Sequence, residues 1–133
     1  LSTHQSLAWA LKAANAAEAK KGEDILILDM QDVTLVADYF VIVSGHNVIQ
    51  VESIADAVEE ALAEFGAELL HRSGRDRAHW VLLDYGSVVV HVFTDQERVY
   101  YNLERLWGDA RWVPRKEAAT IGGHVPPGSL APS

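Results

Sequence analysis

Apolar residues at Val48, Val51, Ala55, Val58, Leu62 and Phe65 recur three and four positions apart, the spacing of one face of an α-helix. The segment follows Ser44-Gly45-His46-Asn47 and closes at Gly66. Its other face carries Glu52, Asp56, Glu59, Glu60 and Glu64 without one Lys or Arg, so the ion pairs that often support a solvated helix are missing. An N-terminal helix starts at Ser2-Thr3-His4-Gln5, where a hydroxyl cap precedes a Gln. It runs through Leu7, Leu11 and a series of alanines to Ala19, then stops at Lys20-Lys21-Gly22. A third helix is predicted from Asp95, as cap, to Trp107, with Val99, Leu103, Leu106 and Trp107 on one side.

Between the helices the pattern changes to that of strands. Asp24 to Met30 and Tyr39 to Val43 read as buried strands joined by the polar connection Gln31 to Asp38, and Glu68 to His71 is short strand material. Trp80 to Phe93 is two apolar runs around Asp84-Tyr85-Gly86-Ser87, an antiparallel hairpin whose turn is set by Asp and Gly. Val88 to Phe93 lacks polar alternation, which predicts a strand covered on both faces and helices sandwiching the sheet. The expectation is an α/β fold, a mixed β-sheet flanked by helices, over residues 1–113. From Pro114 the chain thins to Gly-Gly and Pro-Pro-Gly, so residues 114–133 are expected to form an irregular or mobile tail.

Composition narrows the function classes. A chain of 133 residues fits one domain that buries roughly two-thirds of its unfolded surface. With no cysteine there is no disulfide, thiolate metal site or thiol nucleophile, which suits a reducing, cytoplasmic setting. No apolar stretch approaches the length of a membrane span. Nineteen acidic against 11 basic side chains give a formal charge of -8, which repels nucleic acid and makes a basic protein the more natural partner, unless the charge serves solubility alone. Arg72-Ser73-Gly74-Arg75-Asp76-Arg77 is the basic cluster of the body of the chain. It reads as a solvated loop or at most a peripheral phosphate contact, since no aromatics interleave with it.

Candidate chemistry is sparse. Six histidines are present, but none form a helical ligand pair or a His-Glu-x-x-His pattern. With Tyr85-Gly86 as a two-residue turn, His91 lies opposite Trp80 and His79 opposite Val92, on different faces of the hairpin. Neither a metal nor a cofactor is expected. There is no dinucleotide or phosphate-loop glycine motif and no Gly-x-Ser-x-Gly elbow. Gly86-Ser87 with Asp95-Gln96-Glu97 faintly echoes the acids of metal-dependent nucleotidyltransferases, the alternative reading, but Gln96 and the capping position of Asp95 break the pattern. Trp80 and Tyr85 are either core residues or interface anchors. A non-catalytic binding module fits better than an enzyme.

Several segments together resemble the ribosomal silencing factor RsfS, or Iojap-related, family. They are Lys21-Gly22-Glu23-Asp24-Ile25 with Leu28-Asp29, Ala37-Asp38-Tyr39-Phe40-Val41-Ile42 with Ser44-Gly45 and Asn47, Gln50-Val51 with Ile54-Ala55, the Trp80 to Phe93 hairpin, and Arg98-Tyr100-Tyr101-Leu103-Glu104-Leu106-Trp107. The resemblance implies a nucleotidyltransferase-like fold without catalytic residues. It implies binding to the large ribosomal subunit through a basic component, large-subunit protein fourteen, so that small-subunit joining is blocked and translation repressed. It also implies a homodimer when free. The partner-binding surface it suggests maps to Trp80, Leu82, Asp84 and Tyr85, with Asp38, Tyr39 and His91 beside them. Two positions depart from the family's usual pattern: Ser87 stands where Asp is common, and Ser73-Gly74 where Glu-Gly is common.

Overall fold

A computed structural model describes residues 3–101 and 110–114, with the side chains of residues 3, 100 and 101 left out. The expected tail after Pro114 and the predicted third helix beyond Tyr101, including Leu103, Leu106 and Trp107, lie outside the described residues. The elements are α1 (Thr3–Ala19), β1 (Glu23–Asp29), β2 (Tyr39–Gly45), α2 (Val48–Glu64), β3 (His71–Ser73), β4 (Trp80–Asp84), β5 (Val88–Thr94), α3 (Asp95–Tyr101) and β6 (Arg111–Trp112). The six strands form one mixed sheet in the order β3-β4-β5-β2-β1-β6. β2 and β5 run parallel at its centre, and every other pairing is antiparallel.

Residue parity assigns each side chain to a face. Ile25 and Ile27, Val41 and Val43, Val81 and Leu83, and Val88, Val90 and Val92 join α1 and α2 in the larger core. Leu26, Leu28, Ile42 and Phe93 point the other way, into a smaller cluster edged by Phe40, Trp80 and Trp112. All seven residues of β5 are buried, as its unbroken apolarity predicts. The helices are distributed unequally, however: both long helices pack on one face, the helix face. On the other, the aromatic face, α3 is anchored at one end by Arg98, whose guanidinium donates to Ser44 Oγ at 2.8 Å.

Local chemistry explains the helix positions. Asn47 caps α2, its side chain accepting from the Gln50 N–H at 2.9 Å, an interaction worth about 1 kcal/mol. The Gln50 amide accepts from His46 N–H and donates to the Lys20 and Lys21 carbonyls, so the start of α2 is tied to the end of α1. Ala10, Ala13, Ala14 and Ala17 are wholly buried, which lets α1 lie close to its neighbours. On α2, Ile54 joins Val51, Ala55, Val58 and Leu62 in the core, while Phe65 emerges beside Lys12.

Two sequence expectations need correction, and one strand was not foreseen. The hairpin turns at Gly86-Ser87, with Tyr85 N–H donating to Val88 O. This pairs Trp80 with Phe93 and Leu82 with His91, two residues away from the expected register. Gly86 has φ of 85°, which suits the first central position of a tight hairpin turn, and Asp84 Oδ1 accepts its N–H at 2.7 Å. Because the offset is two residues, His79 and His91 still face opposite ways. Second, β3 spans His71–Ser73 rather than Glu68 to His71; this polar edge strand is defined by its ladder with β4 and not by its own pattern. Its exit depends on Gly74, where a Cβ would stand 2.4 Å from the Trp80 carbonyl oxygen. The unforeseen strand is β6, two residues paired to β1 and too short to leave a periodic signal.

Candidate docking face

Alternation along β4 places Trp80, Leu82 and Asp84 on the aromatic face, all three half-buried. The antiparallel neighbour β5 brings His91 and Phe93 beside them, and the parallel register of β2 sets Phe40 next in line, opposite Val89. The Trp80 indole stacks on Phe93 with ring centroids 4.7 Å apart and planes 28° apart. Its Nε1–H donates to His91 Nδ1 at 3.2 Å, and Phe40 leans on the same imidazole at 4.8 Å.

That hydrogen bond settles the chemistry of His91. Nδ1 accepts, so the neutral ring carries its proton on Nε2, and Nε2 is buried without a partner among the described residues. Burial holds the His91 pKa down to about 4, since a charged ring among Phe40, Trp80 and Phe93 has lost its water. The indole is therefore fixed by a stack on one side and an uncharged acceptor on the other, a rigid aromatic plate at the edge of the sheet.

The remaining predicted residues lie elsewhere. Tyr85 is only 4% exposed and sits on the helix face, edge-on to Trp9 at 6.5 Å. Its hydroxyl has no partner among the described residues, and burial, with the Glu59 charge adding, pushes its pKa up to about 12. Tyr39 is also in the helix-face core; its hydroxyl accepts from the Gln31 amide, and burial followed by the nearby Asp29 and Asp38 charges raises its pKa. Asp38 is a tie between elements: its carboxylate accepts from Ser6 Oγ on α1, and its N–H donates to Ser87 O in the hairpin turn. Four of the seven predicted residues, Trp80, Leu82, Asp84 and His91, thus share one surface. Phe40 and Phe93 belong with them and were not foreseen. Parity from the hairpin turn would have found Phe93, whereas Phe40 arrives through a parallel pairing that no local signal announces.

Two charged clusters also depend on the fold. Arg72, expected in a solvated loop, turns its buried side chain back to Asp56, at 3.0 Å, and Glu59 on α2. Burial disfavours its charge, but the hydrogen bonds it donates to Glu59 and Asp56 outweigh that and raise its pKa. The cation that α2 lacks in sequence is supplied across the tertiary structure. At the ends of β1, β2 and β5, His46 places Nδ1 3.2 Å from Asp95 and Nε2 3.4 Å from Glu23. The carboxylates approach opposite edges of the ring, and their hydrogen bonds and charges, Asp95 first, raise its pKa. When the ring is protonated both nitrogens donate, so the three exposed groups tie the strand ends together.

Comparison with known proteins follows the same outline. Residues 3–127 match the family described as "Ribosomal silencing factor during starvation". The ribosomal silencing factor RsfS of Bacillus subtilis is 52% identical over 98 residues, covering 74% of this chain and 83% of that protein. A crystal structure of a Chromobacterium violaceum protein superimposes with a TM-score of 0.74 at 33% identity, covering 81% of this chain and 88% of the other. A second, from Bacillus halodurans, has a TM-score of 0.65 at 44% identity, covering 71% and 89%.

Proposed function

We propose, from the premise that this chain belongs to the ribosomal silencing factor family, that it docks on the large ribosomal subunit through basic large-subunit protein fourteen and sterically blocks the small subunit, repressing translation. The observation that carries this reading is the aromatic face. Trp80, Leu82 and Asp84 form a half-exposed row on one strand, backed by a locked His91-Phe93 stack, so a large rigid anchor is presented at little entropic cost. Asp84 at the end of that row and the formal charge of -8 favour encounter with a basic surface. Occupying space requires no turnover and no cofactor. Among the described residues no helix is long and apolar enough to cross a membrane, and the setting we propose is the cytoplasm.

The free chain pairs with a second copy through the same face, so dimer formation and ribosome docking compete. The test is co-sedimentation with isolated large subunits, followed by addition of small subunits. Wild-type protein is expected to travel with the large subunit and to reduce the population of joined ribosomes. Trp80→Ala should weaken docking by about 2 kcal/mol or more with an unchanged circular dichroism spectrum. Free joining of the subunits in a molar excess of wild-type protein would overturn the proposal.

A further inference from the structure

An open groove of about 790 Å³ runs along the outer surface of α2, which points away from the sheet because Val51, Ile54, Val58 and Leu62 face inward. Its floor is the four-residue row Ile49, Ser53, Ala57 and Ala61, and its wall is the adjacent row Glu52, Asp56, Glu60 and Glu64. Residues four apart on a helix stack along one line, so the groove pairs a shallow apolar track with a continuous acidic one. Arg72 engages Asp56. Glu52, Glu60 and Glu64 have no ion pair among the described residues, and each repels its neighbour in the row. Ile49, at one end of the floor, is 70% exposed.

We propose that this groove is a second docking site, one that takes a basic amphipathic helix from a partner protein. Lys or Arg at four-residue spacing would match the pitch of the acidic row, and the small side chains of Ser53, Ala57 and Ala61 would admit close approach of an aliphatic stripe. Lys20, Asp76 and Arg77 form the rim, two basic groups and one acidic, against the four carboxylates of the helix row, which dominate. A second copy of this acidic chain is disfavoured by charge, as are nucleic acid and anionic lipid. The site lies across the sheet from the aromatic face, so both are available at once, and it stands independently of the ribosomal reading.

The probe is a fluorescent peptide of about eighteen residues, with Lys every fourth position beside a Leu/Ala stripe, titrated against the full chain by anisotropy. Its binding should be at least about tenfold tighter than that of a scrambled peptide of equal charge and should weaken as salt rises. Combined Glu52→Gln, Glu60→Gln and Glu64→Gln should lower affinity by about tenfold or more, while the same charge change at Glu18, Asp24 and Glu68 should not. Ala57→Arg should block the floor, and Trp80→Ala should bind the peptide as wild type does. Circular dichroism confirms that each variant is folded. Equal binding of the scrambled peptide, indifference to the triple change, or self-association lost in the same triple variant would overturn the proposal.

Discussion

The two faces of the sheet are built from the same strands, one residue apart, yet they are closed in different ways. On the helix face α1 and α2 cover Val81, Leu83 and Tyr85 with aliphatic packing. On the aromatic face Trp80, Leu82 and Asp84 stay partly exposed while Phe93 and His91 behind them are buried. The lesson is that hydrophobicity alone does not distinguish a covered position from a partly exposed one. Parity relative to the turn does, because a shift of one position moves a side chain through the sheet.

Adjacent leucines provide the largest contrast. Leu83→Ala should cost about 2 to 5 kcal/mol in urea unfolding, the range for emptying a closed core, whereas Leu82→Ala should cost less than about 1 kcal/mol and show its effect in ribosome docking. Equal losses of stability would break the comparison.

The histidines give the next effect, with opposite signs. The folded-state pKa of His91, about 4, lies below its unfolded value near 6.5, so the unfolded chain takes up the proton first. Its contribution is fully present above about pH 6.5 and lost as pH falls toward 4, in total about 3 kcal/mol. His91→Phe should flatten that acid limb of the stability profile. His46 has a raised pKa: what its tie between strand ends contributes is present below its unfolded pKa and fades as pH rises through the folded one. His46→Gln should remove that alkaline-side slope alone.

The smallest effect sharpens the contrast between Trp80, whose indole N–H is hydrogen-bonded, and Tyr85, whose hydroxyl has no partner among the described residues. Tyr85→Phe deletes that buried hydroxyl and should leave stability unchanged or raise it by up to about 1 kcal/mol. Docking should be untouched. A docking defect in Tyr85→Phe with normal stability would move the interface to the helix face.

Legibility followed the range of each interaction. The apolar spacing of α2 and the unbroken run of β5 are local signals, and each led to the element observed. The turn between β4 and β5 was placed but its register missed by two residues, because Asp84, Tyr85, Gly86 and Ser87 all suit a turn and only the ladder chooses among them. Arg72 looked solvated because its carboxylate partners are more than ten residues upstream.

By itself the sequence determined where α1, α2 and the strands β1, β2, β4 and β5 form, the mixed α/β class and the acidic, cysteine-free character of the chain, since these follow from local periodicity and from composition. Only the tertiary structure decided that α1 and α2 share one face, that Tyr85 and Tyr39 lie under them, and that Phe40 and Trp80 both meet His91 on the other. The reason is physical: face and neighbour are set by pairing between distant strands, and Trp80 and Tyr85 are equally apt for either side until the register assigns them.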